Sequence, residues 1–426
     1  MTRRGPADYR RPPGAPPRAP RAPGVARILL ADADAFFVAV ARMVDPDGAG
    51  KAKLLIVGGT RESRGVVCSA SYEARQYGVR SAMPIARALK LCPKAMCVPV
   101  PGKECSRISK AIRAVLGRYA PVVSAASVDE WYLDLSGTEA VYHDEPLRDT
   151  AHRIRAAVKA ETGFRVSIGG GTNRLIAKLA VERAKPKPGT MADGVHVVAP
   201  GDEAAFLATF TLAELPMVGP KFQAKLASLG LVSVPDVLQR DIRLLRAQLG
   251  TRAADWLWDR AHGIGDTEVA GRGAQKSMSR DETFPVDLVT DEDLERELLK
   301  LVTRAASDLR KSGHAARTIV VKLRDNDFRT RSARRTLPEA VVTDRVIMSV
   351  ATDLLRQLRR TRRMPARLIG VALSGLRDGP GADQPGLFDA DEHLDSARDL
   401  AIARTVDRVR EKFGARGIIP GALLKD

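Results

Sequence analysis

Two adjacent carboxylates inside an apolar segment constrain the fold of this chain more than any other feature. Asp129 and Glu130 lie in the stretch Ser127–Asp134, whose remaining residues are mostly apolar or aromatic and favour a β-strand. Because successive side chains of a strand point to opposite faces, the two acids cannot both simply face solvent. An unpaired buried carboxylate is costly, so the pair predicts a hard cation or a basic partner. The alternative is a tight turn between strands, in which both acids are solvated.

A second acidic motif follows the first predicted strand. Residues 25–31 are almost wholly apolar and predict a buried strand that runs into Asp32, Ala33 and Asp34. On a continuing strand the two aspartates share a face, which would aim both at one ligand. The alternative is that Asp34 caps a helix over residues 35–43. We expect Asp32 to be a ligand, and Asp34 to be a cap or to support the ligand from behind.

An aromatic pair begins that predicted helix. Aromatic residues make up only 4% of the chain, yet Phe36 and Phe37 are adjacent. Successive helix residues point about 100° apart, so one ring can pack in the core while the other forms the wall of a pocket.

A tyrosine and two basic side chains suit the oxygens of a phosphate group. Tyr72 and Arg75 are three residues apart and share one face of a predicted helix. A structural salt bridge for Arg75 is the alternative. Lys185 ends a later helix and can reach a bound phosphate, or it can simply stabilise the helix C-terminus. The run Gly169–Gly171 is only a weak indication of a phosphate loop, because the P-loop lysine spacing is absent.

The charge balance favours a polyanionic partner. The chain has 69 Lys and Arg against 51 Asp and Glu, a net charge of +18, which points to nucleic acid. Residues 303–363 hold 16 basic and 6 acidic residues, and several arginines lie on or beside two predicted strands. We expect Arg324 and Arg331 to lie along a DNA backbone, with salt-sensitive binding. A solvated basic surface is the alternative.

A helical region over residues 203–262 contains a second candidate DNA contact. The segment Leu215–Lys221 has the form of a helix-hairpin-helix turn, in which Gly219 and Lys221 would meet DNA phosphates. A plain helical turn is the alternative. Residues 263–280 are glycine-rich and polar, which is typical of a linker.

Other classes of protein find little support in the sequence. No run of about 18 apolar residues is present, so no membrane helix is expected. The N-terminus has no apolar signal core, and residues 1–24, with seven prolines and six arginines, predict a disordered basic tail. The four cysteines show no CxxC pairing and no nearby histidines, which disfavours zinc and disulfides. We expect a cytoplasmic protein.

Taken together, the motifs resemble the Y-family DNA polymerases, specifically the bacterial DNA polymerase IV group. The resemblance covers about residues 26–376 and the tail. Each motif is short, but their order and spacing make the match specific. The segments that carry it are Asp32–Phe37, Ser71–Arg75, Gly78–Pro84, Ser127–Asp134 and Ala184–Pro186.

The resemblance implies an α+β multidomain fold of the right-hand polymerase type. It implies a disordered tail over 1–24, an α/β palm over 25–190 with small fingers inserted at about 37–101, a helical thumb with the helix-hairpin-helix over 191–262, a linker over 263–275, an α+β little-finger domain over 276–376, and a C-terminal tail over 377–426.

The resemblance also implies a metal site. Asp32 and Asp129 would bind two catalytic Mg²⁺ ions, Glu130 would complete the site, and the Ala33 carbonyl would be a backbone ligand. Magnesium prefers oxygen ligands, and two ions would activate the primer 3′-OH and stabilise the leaving pyrophosphate.

The implied partners are primer–template DNA, dNTPs and a sliding clamp. Phe37 would be the steric gate against a ribose 2′-OH, and Tyr72, Arg75 and Lys185 would hold the triphosphate. The clamp-binding residues implied by the resemblance are Gln384, Leu387 and Phe388. An exposed Leu-Phe pair in a polar tail also needs a partner pocket on physical grounds, unless the tail folds back. A monomer is expected.

Two residues depart from the family pattern. Ser124 stands where a glutamate is common, and Trp131 replaces a usually small residue after the acid pair. Neither change removes a ligand, so we expect a translesion DNA polymerase acting in damage tolerance. A non-catalytic DNA-binding relative would have lost the acids, and a nucleotide cyclase would need neither the basic domain nor the clamp peptide.

Overall fold

The computed structural model describes residues 25–186, 192–269, 273–379, 394–414 and 416–424. The chain divides into two compact units, Met1–Gly273 and Ala274–Asp426. The predicted basic tail and the Gln384–Phe388 motif lie outside the described residues.

The first unit mixes helices and strands as the sequence predicts. Its strands are β1 (Ile28–Ala33), β2 (Leu55–Val57), β3 (Ser69–Ala70), β4 (Met96–Val98), β5 (Val122–Ala125), β6 (Glu130–Asp134), β7 (Val166–Gly171) and β8 (Val195–Val197). Its helices are α1 (Phe36–Val44), α2 (Tyr72–Gln76), α3 (Ile85–Leu91), α4 (Gly102–Leu116), α5 (Leu147–Thr162), α6 (Arg174–Ala184), α7 (Glu203–Leu207), α8 (Pro220–Ala227), α9 (Val234–Leu238), α10 (Ile242–Leu249) and α11 (Thr251–Ala261).

A five-stranded sheet in the order β5-β6-β1-β7-β8 forms the centre of this unit. The central strand β1 runs antiparallel to β6 and β7, and its register places Asp32 directly opposite Glu130. The two acids therefore meet on neighbouring strands although 98 positions separate them in the sequence.

Strand β1 is buried on both faces, which explains its nearly continuous apolar sequence. Leu29 and Ala31 pack into a core with α4 and α5, whereas Ile28 and Leu30 pack against α6 on the opposite face. The three large residues have no exposed surface, and burying each side chain contributes about 1.5–3 kcal/mol. The strand that carries Asp32 is therefore held rigidly from both sides.

The glycine run in β7 serves helix packing and not a phosphate loop. A Cβ on Gly169 would lie 2.1 Å from the Val181 nitrogen and 2.3 Å from the Ala177 oxygen, so only glycine lets α6 approach this closely. A Cβ on Gly171 would likewise lie 2.4 Å from the Ile176 side chain. The glycines thereby bring the backbone of α6 against the sheet beside the acidic strands.

The remainder of the first unit forms two smaller cores. The strands β3-β2-β4 make a three-stranded sheet that packs with α2 and α3. Helices α7–α11, as the sequence predicts for residues 203–262, pack around another apolar core, to which one face of α6 also contributes.

The second unit is an antiparallel sheet covered by helices on one face. Its elements are β9 (Ser277–Leu288), α12 (Asp291–Lys311), β10 (His314–Asp325), β11 (Thr330–Val341), α13 (Asp344–Thr361), β12 (Ala366–Asp378) and α14 (Ala397–Phe413). The strand order is β11-β10-β12-β9, and α12 and α13 pack against the apolar side chains of one face.

The strand β9 corrects the prediction that residues 263–280 are all linker, because it begins at Ser277. It is an edge strand, and most of its residues stay exposed. Its sequence therefore lacks the regular apolar alternation by which a strand is recognised.

Helix α14 lies on the second unit through ion pairs. The Asp407 carboxylate accepts hydrogen bonds from the guanidinium of Arg310 and from the Ser307 hydroxyl. In the stretches of chain that the structure describes, no helix combines the length and the apolar character that crossing a membrane requires.

Candidate active site

A pocket of about 300 Å³ in the first unit collects the residues that sequence analysis assigned to the metal and nucleotide sites. It is lined from β1, the start of α1, the segment from β3 through α2, the β5–β6 hairpin and the end of α6. The predicted residues among its lining are Asp32, Ala33, Phe37, Tyr72, Arg75, Asp129, Glu130 and Lys185.

The acid pair occupies a hairpin turn and a strand start, so both initial interpretations of its backbone were partly right. Glu130 is the first residue of β6, whereas Asp129 lies in the turn before it. The Ala33 amide donates to the Asp129 carbonyl at 2.9 Å, which fastens the hairpin to β1. The Ser127 hydroxyl donates to the Asp129 carboxylate, and both acids are only half-exposed. The pair is therefore not a solvated turn.

Two lysines from α6 hold two of the acids. Lys185 Nζ lies 2.9 Å from Asp32 Oδ2, and Lys178 Nζ contacts Glu130 Oε1. Lys178 was not predicted from the sequence. The sequence offered one indication of its role, because Lys178 lies seven positions before Lys185 and residues seven apart share one face of a helix. The close approach of α6 that Gly169 permits brings both lysines over the acidic strands.

Burial dominates the electrostatics of Asp32. Removal from water raises the pKa of its carboxyl to about 7, even though the neighbouring Lys185 acts in the opposite direction. Burial also acts to raise the pKa of Glu130, but the hydrogen bond and charge of Lys178 outweigh it and lower that pKa. A nearby cation stabilises the ionised form of such desolvated carboxylates most strongly.

Asp34 is not a helix cap, which corrects that alternative. Its carboxylate accepts a hydrogen bond of 2.7 Å from the Ser167 hydroxyl, and burial raises the pKa of its carboxyl. The residue before α1 is Ala35, in the left-handed region with φ of 45°. This conformation is uncommon for alanine and stores local strain beside the pocket.

The two phenylalanines that begin α1 point to different surroundings, as expected. Phe36 is buried and packs in the core shared with α4 and α5, while Phe37 is half-buried and lines the pocket. Their ring centroids are 5.7 Å apart in an edge-to-face arrangement, so the buried ring supports the pocket ring.

Tyr72 and Arg75 face the pocket from a short helix that the Ser71 side chain caps. The Arg75 Nε donates to the Ala70 carbonyl at 2.9 Å, and the guanidinium lies 5.0 Å from the Tyr72 ring centroid. Arg75 is thus oriented by a carbonyl and a ring, and in the described part of the chain no carboxylate forms an ion pair with it. Its charge remains available to a bound anion.

The two departures from the family pattern leave the pocket lining unchanged. Trp131 is fully buried and points into the core on the opposite side of β6 from Glu130. Its register partners are Ala31 and Ala125, whose small side chains leave room for the indole. Ser124 pairs with Tyr132 on the edge strand and does not line the pocket.

The predicted helix-hairpin-helix turn has one short arm. Gly219 is the exposed residue before α8, and Lys221 lies exposed in its first turn. The element before the turn is a single 3-10 turn, Leu212–Glu214, where the prediction places a helix. Met217 is left-handed with φ of 74° and is 65% exposed, so the turn lies at the surface, although the Val218 amide after it donates to the Leu215 carbonyl.

The second unit offers a sheet surface opposite α12 and α13, which we call the open face. The strand register and burial pattern place mostly small and hydroxyl side chains there, together with a few cations. Its residues are Ser277, Ser279, Asp281, Thr318, Val320, Lys322, Arg324, Ser332, Arg334, Thr336, Gly370, Ala372 and Ser374. Within this set, Lys322 forms an ion pair with Asp281.

Of the two predicted DNA-contacting arginines, the structure places one on the open face. Arg324 projects from β10 onto it. Arg331 does not, because its guanidinium bonds to the buried Asp325 carboxylate at 3.0 Å and to the Leu358 carbonyl. Alternation along β11 sends Arg334, another of the arginines on the two predicted strands, to the open face. A basic residue's face cannot be assigned until the strand register is known.

Comparison with known proteins gives consistent matches. Residues 31–182 match the impB/mucB/samB family, and residues 275–387 match the C-terminal domain of that family. A DNA polymerase IV of Caulobacter vibrioides is 36% identical over 403 residues, covering 94% of this chain and 95% of the relative. One of Methanoculleus marisnigri is 37% identical over 355 residues, covering 83% and 95%.

Solved structures give the same match. A Y-family DNA polymerase chimera of Dbh and Dpo4 is similar with a TM-score of 0.71 and 26% identity, covering 82% of this chain and 99% of the other. An insertion ternary complex of Dbh DNA polymerase is similar with a TM-score of 0.56 and 25% identity, covering 82% and 98%.

Proposed function

The chain belongs to the DNA polymerase IV group of the Y-family DNA polymerases, and from this premise we propose that it extends a primer on damaged as well as intact template DNA. It is a DNA-directed DNA polymerase, and dNTPs are its substrates. The observation that carries the proposal is one pocket in which four carboxylates face a tyrosine, two arginines and a lysine.

We propose that Asp32 and Asp129 hold two Mg²⁺ ions, with Glu130 and the Ala33 carbonyl completing the site. The donor set fits, because all four groups offer the hard oxygens that Mg²⁺ prefers, and they line one partly buried pocket. Within the described ranges, no three acidic, histidine or cysteine side chains lie close enough together to hold an ion. Bound there, the ions would supply activation of the primer 3′-OH and charge stabilisation on the leaving pyrophosphate.

The cationic side of the pocket binds the triphosphate. The Arg75 guanidinium and the Tyr72 hydroxyl lie along one helix face, and Lys185 approaches from the end of α6. Preorganised donors of this kind stabilise charge that develops on the transferring phosphoryl group. Phe37 lies on the remaining wall, where its ring would leave no room for a ribose 2′-OH.

The domain assignment follows from the same family. Residues 25–190 form the palm, with fingers at about 37–101, and residues 191–262 form the thumb. Residues 276–376 form the little finger, whose open face lies along the DNA backbone. The five-stranded sheet, the helical core and the helix-covered sheet described above support these three assignments.

The tail from residue 377 carries the clamp contact in this proposal. Deletion of residues 384–388 should abolish binding to the replication sliding clamp while leaving primer extension without the clamp unchanged. Surface plasmon resonance on immobilised clamp measures the first, and a primer-extension assay measures the second. Loss of extension without the clamp would instead give the segment a structural role.

Primer extension tests the polymerase proposal as a whole. We expect the purified chain, as a monomer, to add dNTPs to a primer–template in the presence of Mg²⁺, and to continue past a template lesion that stops a high-fidelity polymerase. Complete absence of extension on intact template would refute the proposed function.

A further inference from the structure

The tip of the β10–β11 hairpin presents a phenylalanine to solvent. Phe328 is 63% exposed, and its backbone is left-handed with φ of 66°. A bulky residue in this conformation is strained and persists only where its surroundings determine the backbone. A large apolar ring held out in this way requires an explanation that folding alone does not provide.

Hydrogen bonds fix the backbone of the tip. The Phe328 amide donates to the Asp325 carbonyl, and the Asp325 amide donates to the Arg329 carbonyl, both at 3.0 Å. The Asn326 amide donates at 3.0 Å to the carbonyl of Pro365, which lies in the loop between α13 and β12. The hairpin tip is therefore tied to a second loop as well as to itself.

A buried carboxylate anchors the tip from below. Asp325 has no exposed surface, and its two oxygens meet Arg331 at 3.0 Å and Arg362 at 2.7 Å. Arg362 also binds the adjacent Asp327 at 2.8 Å. The charge of Asp327, the residue before Phe328, is thus neutralised by Arg362, so Asp327 presents no free negative charge to a polyanion.

The exposed ring has cations around it. The Arg367 guanidinium carbon lies 4.7 Å from the Phe328 ring centroid, within cation–π distance. The two segments that meet here, residues 324–331 and 359–367, contain eight arginines and two aspartates. Arg359 and Arg363 also pair with Asp291, so the local net charge is +5. The open face reaches this end of the hairpin at Arg324, the residue before Asp325.

This combination fits one class of ligand. A docking site for an apolar peptide offers several apolar side chains in a groove, whereas here a single ring lies against a guanidinium in a strongly basic surface. Aromatic rings flanked by arginines bind single-stranded nucleic acid, because the ring stacks on a base while the cations meet phosphates.

We propose that Phe328, backed by Arg367, is a stacking platform for an unpaired nucleobase of the DNA strand that leaves the duplex at the edge of the open face. The contact adds to the polymerase function proposed above and needs no catalysis. The base identity matters little, because every base has a π-face.

Fluorescence anisotropy on the full chain tests this platform. Three labelled substrates are compared: a primer–template with a natural single-stranded overhang, the same with an abasic overhang, and a blunt duplex. Phe328→Ala should weaken binding to the natural overhang about tenfold, the loss typical of one stacked base, and change the other two less than about twofold. Phe328→Trp should retain wild-type affinity.

The chain offers a matched control and a folding control. Phe413 is 66% exposed, and Lys412 Nζ lies 5.3 Å from its ring centroid, so Phe413→Ala removes a similar ring from the end of α14 instead of the hairpin tip. It should not change binding to any substrate. Phe328→Gly suits the left-handed backbone and should behave as Phe328→Ala with an undiminished melting temperature.

Two results would overturn the inference. The first is wild-type affinity of Phe328→Ala for the natural overhang. The second is an equal loss on all three substrates, because that loss would not depend on bases. Primer extension is not measured, so a failure of the polymerase proposal remains distinguishable from a failure of the platform.

Discussion

The pocket of the first unit and the open face of the second unit differ in how their charged side chains are buried and paired. In the pocket, few charged groups are partly withdrawn from water and paired at short range, as Lys185 is with Asp32. On the open face, cations such as Arg324 and Arg334 stand among small hydroxyl side chains on a broad surface. The first arrangement suits chemistry at one point, and the second suits a polyanion lying across many residues.

The difference predicts how each region responds to change. A desolvated group at a fixed position cannot be replaced by its neighbours, so single substitutions in the pocket should have large effects. Phosphate contacts on an open surface are individually weak and additive, so single substitutions there should have small effects that depend on salt.

Asp129→Ala should have the largest effect. In the site proposed above, Asp129 would hold both ions, and its loss would remove several kcal/mol of transition-state stabilisation, so we expect the single-turnover extension rate to fall by at least about 1000-fold. Rapid-quench measurement at saturating DNA and dNTP gives this rate directly. A near-normal extension rate would show that the pocket tolerates single substitutions as well as the open face does, and would contradict the difference between the two regions.

Phe37→Ala should change selectivity more than rate. In the proposal above, the Phe37 ring excludes the ribose 2′-OH, so its removal should lower the preference for dNTP over rNTP by about 100-fold. Paired incorporation assays with dCTP and CTP measure the preference. Unchanged discrimination would mean that another group performs the exclusion.

Lys178→Met should slow extension by roughly tenfold to 100-fold, because Glu130 loses the cation that orients it. The matched control is Arg183→Met on the same helix, which removes a cation that pairs with Glu214 outside the pocket. The control should cost stability without slowing the single-turnover rate. Equal slowing in both variants would reduce Lys178 to a support of the helix.

Arg334→Ala and Arg331→Ala should separate binding from stability within the second unit. Arg334→Ala should weaken DNA binding a few-fold and reduce the slope of log affinity against log salt by about 0.9. Arg331→Ala leaves the buried Asp325 short of one partner, so we expect a loss of unfolding free energy of about 2 kcal/mol. Salt-dependent anisotropy and thermal melting distinguish the two results. The reverse pattern would contradict the register-based assignment of the open face.

The same contrast explains what could be predicted from the sequence. The pocket residues were identified individually, because a carboxylate in an apolar strand is costly without a purpose, and this applies to Asp32 and Glu130 alike. Arg331 was misassigned because arginines on both faces of β11 are equally compatible with a basic segment until the register is known. Lys178 was missed because a lysine on a helix is usually solvated, and only the close packing against Gly169 brings it to Glu130.

The backbone of the site was less predictable than its chemistry. A capping role for Asp34 was a sound alternative from the sequence, but the strained turn at Ala35 takes the cap position and leaves Asp34 bonded to Ser167. Such strain depends on the surrounding fold and has no local sequence pattern. Trp131 likewise became explicable only when its register partners proved to be two alanines.

One measurement tests most directly whether chemistry and DNA binding are divided between the two regions. Single-turnover primer extension is measured as a function of DNA concentration for wild type, Asp129→Ala and an Arg324→Ala/Arg334→Ala double variant. We expect the double variant to need a higher DNA concentration but to reach the wild-type extension rate at saturation. Asp129→Ala should bind DNA with normal affinity but stay far below the wild-type rate at saturation. A double variant that stays slow at saturating DNA, or an Asp129→Ala enzyme that reaches the wild-type rate, would contradict this division.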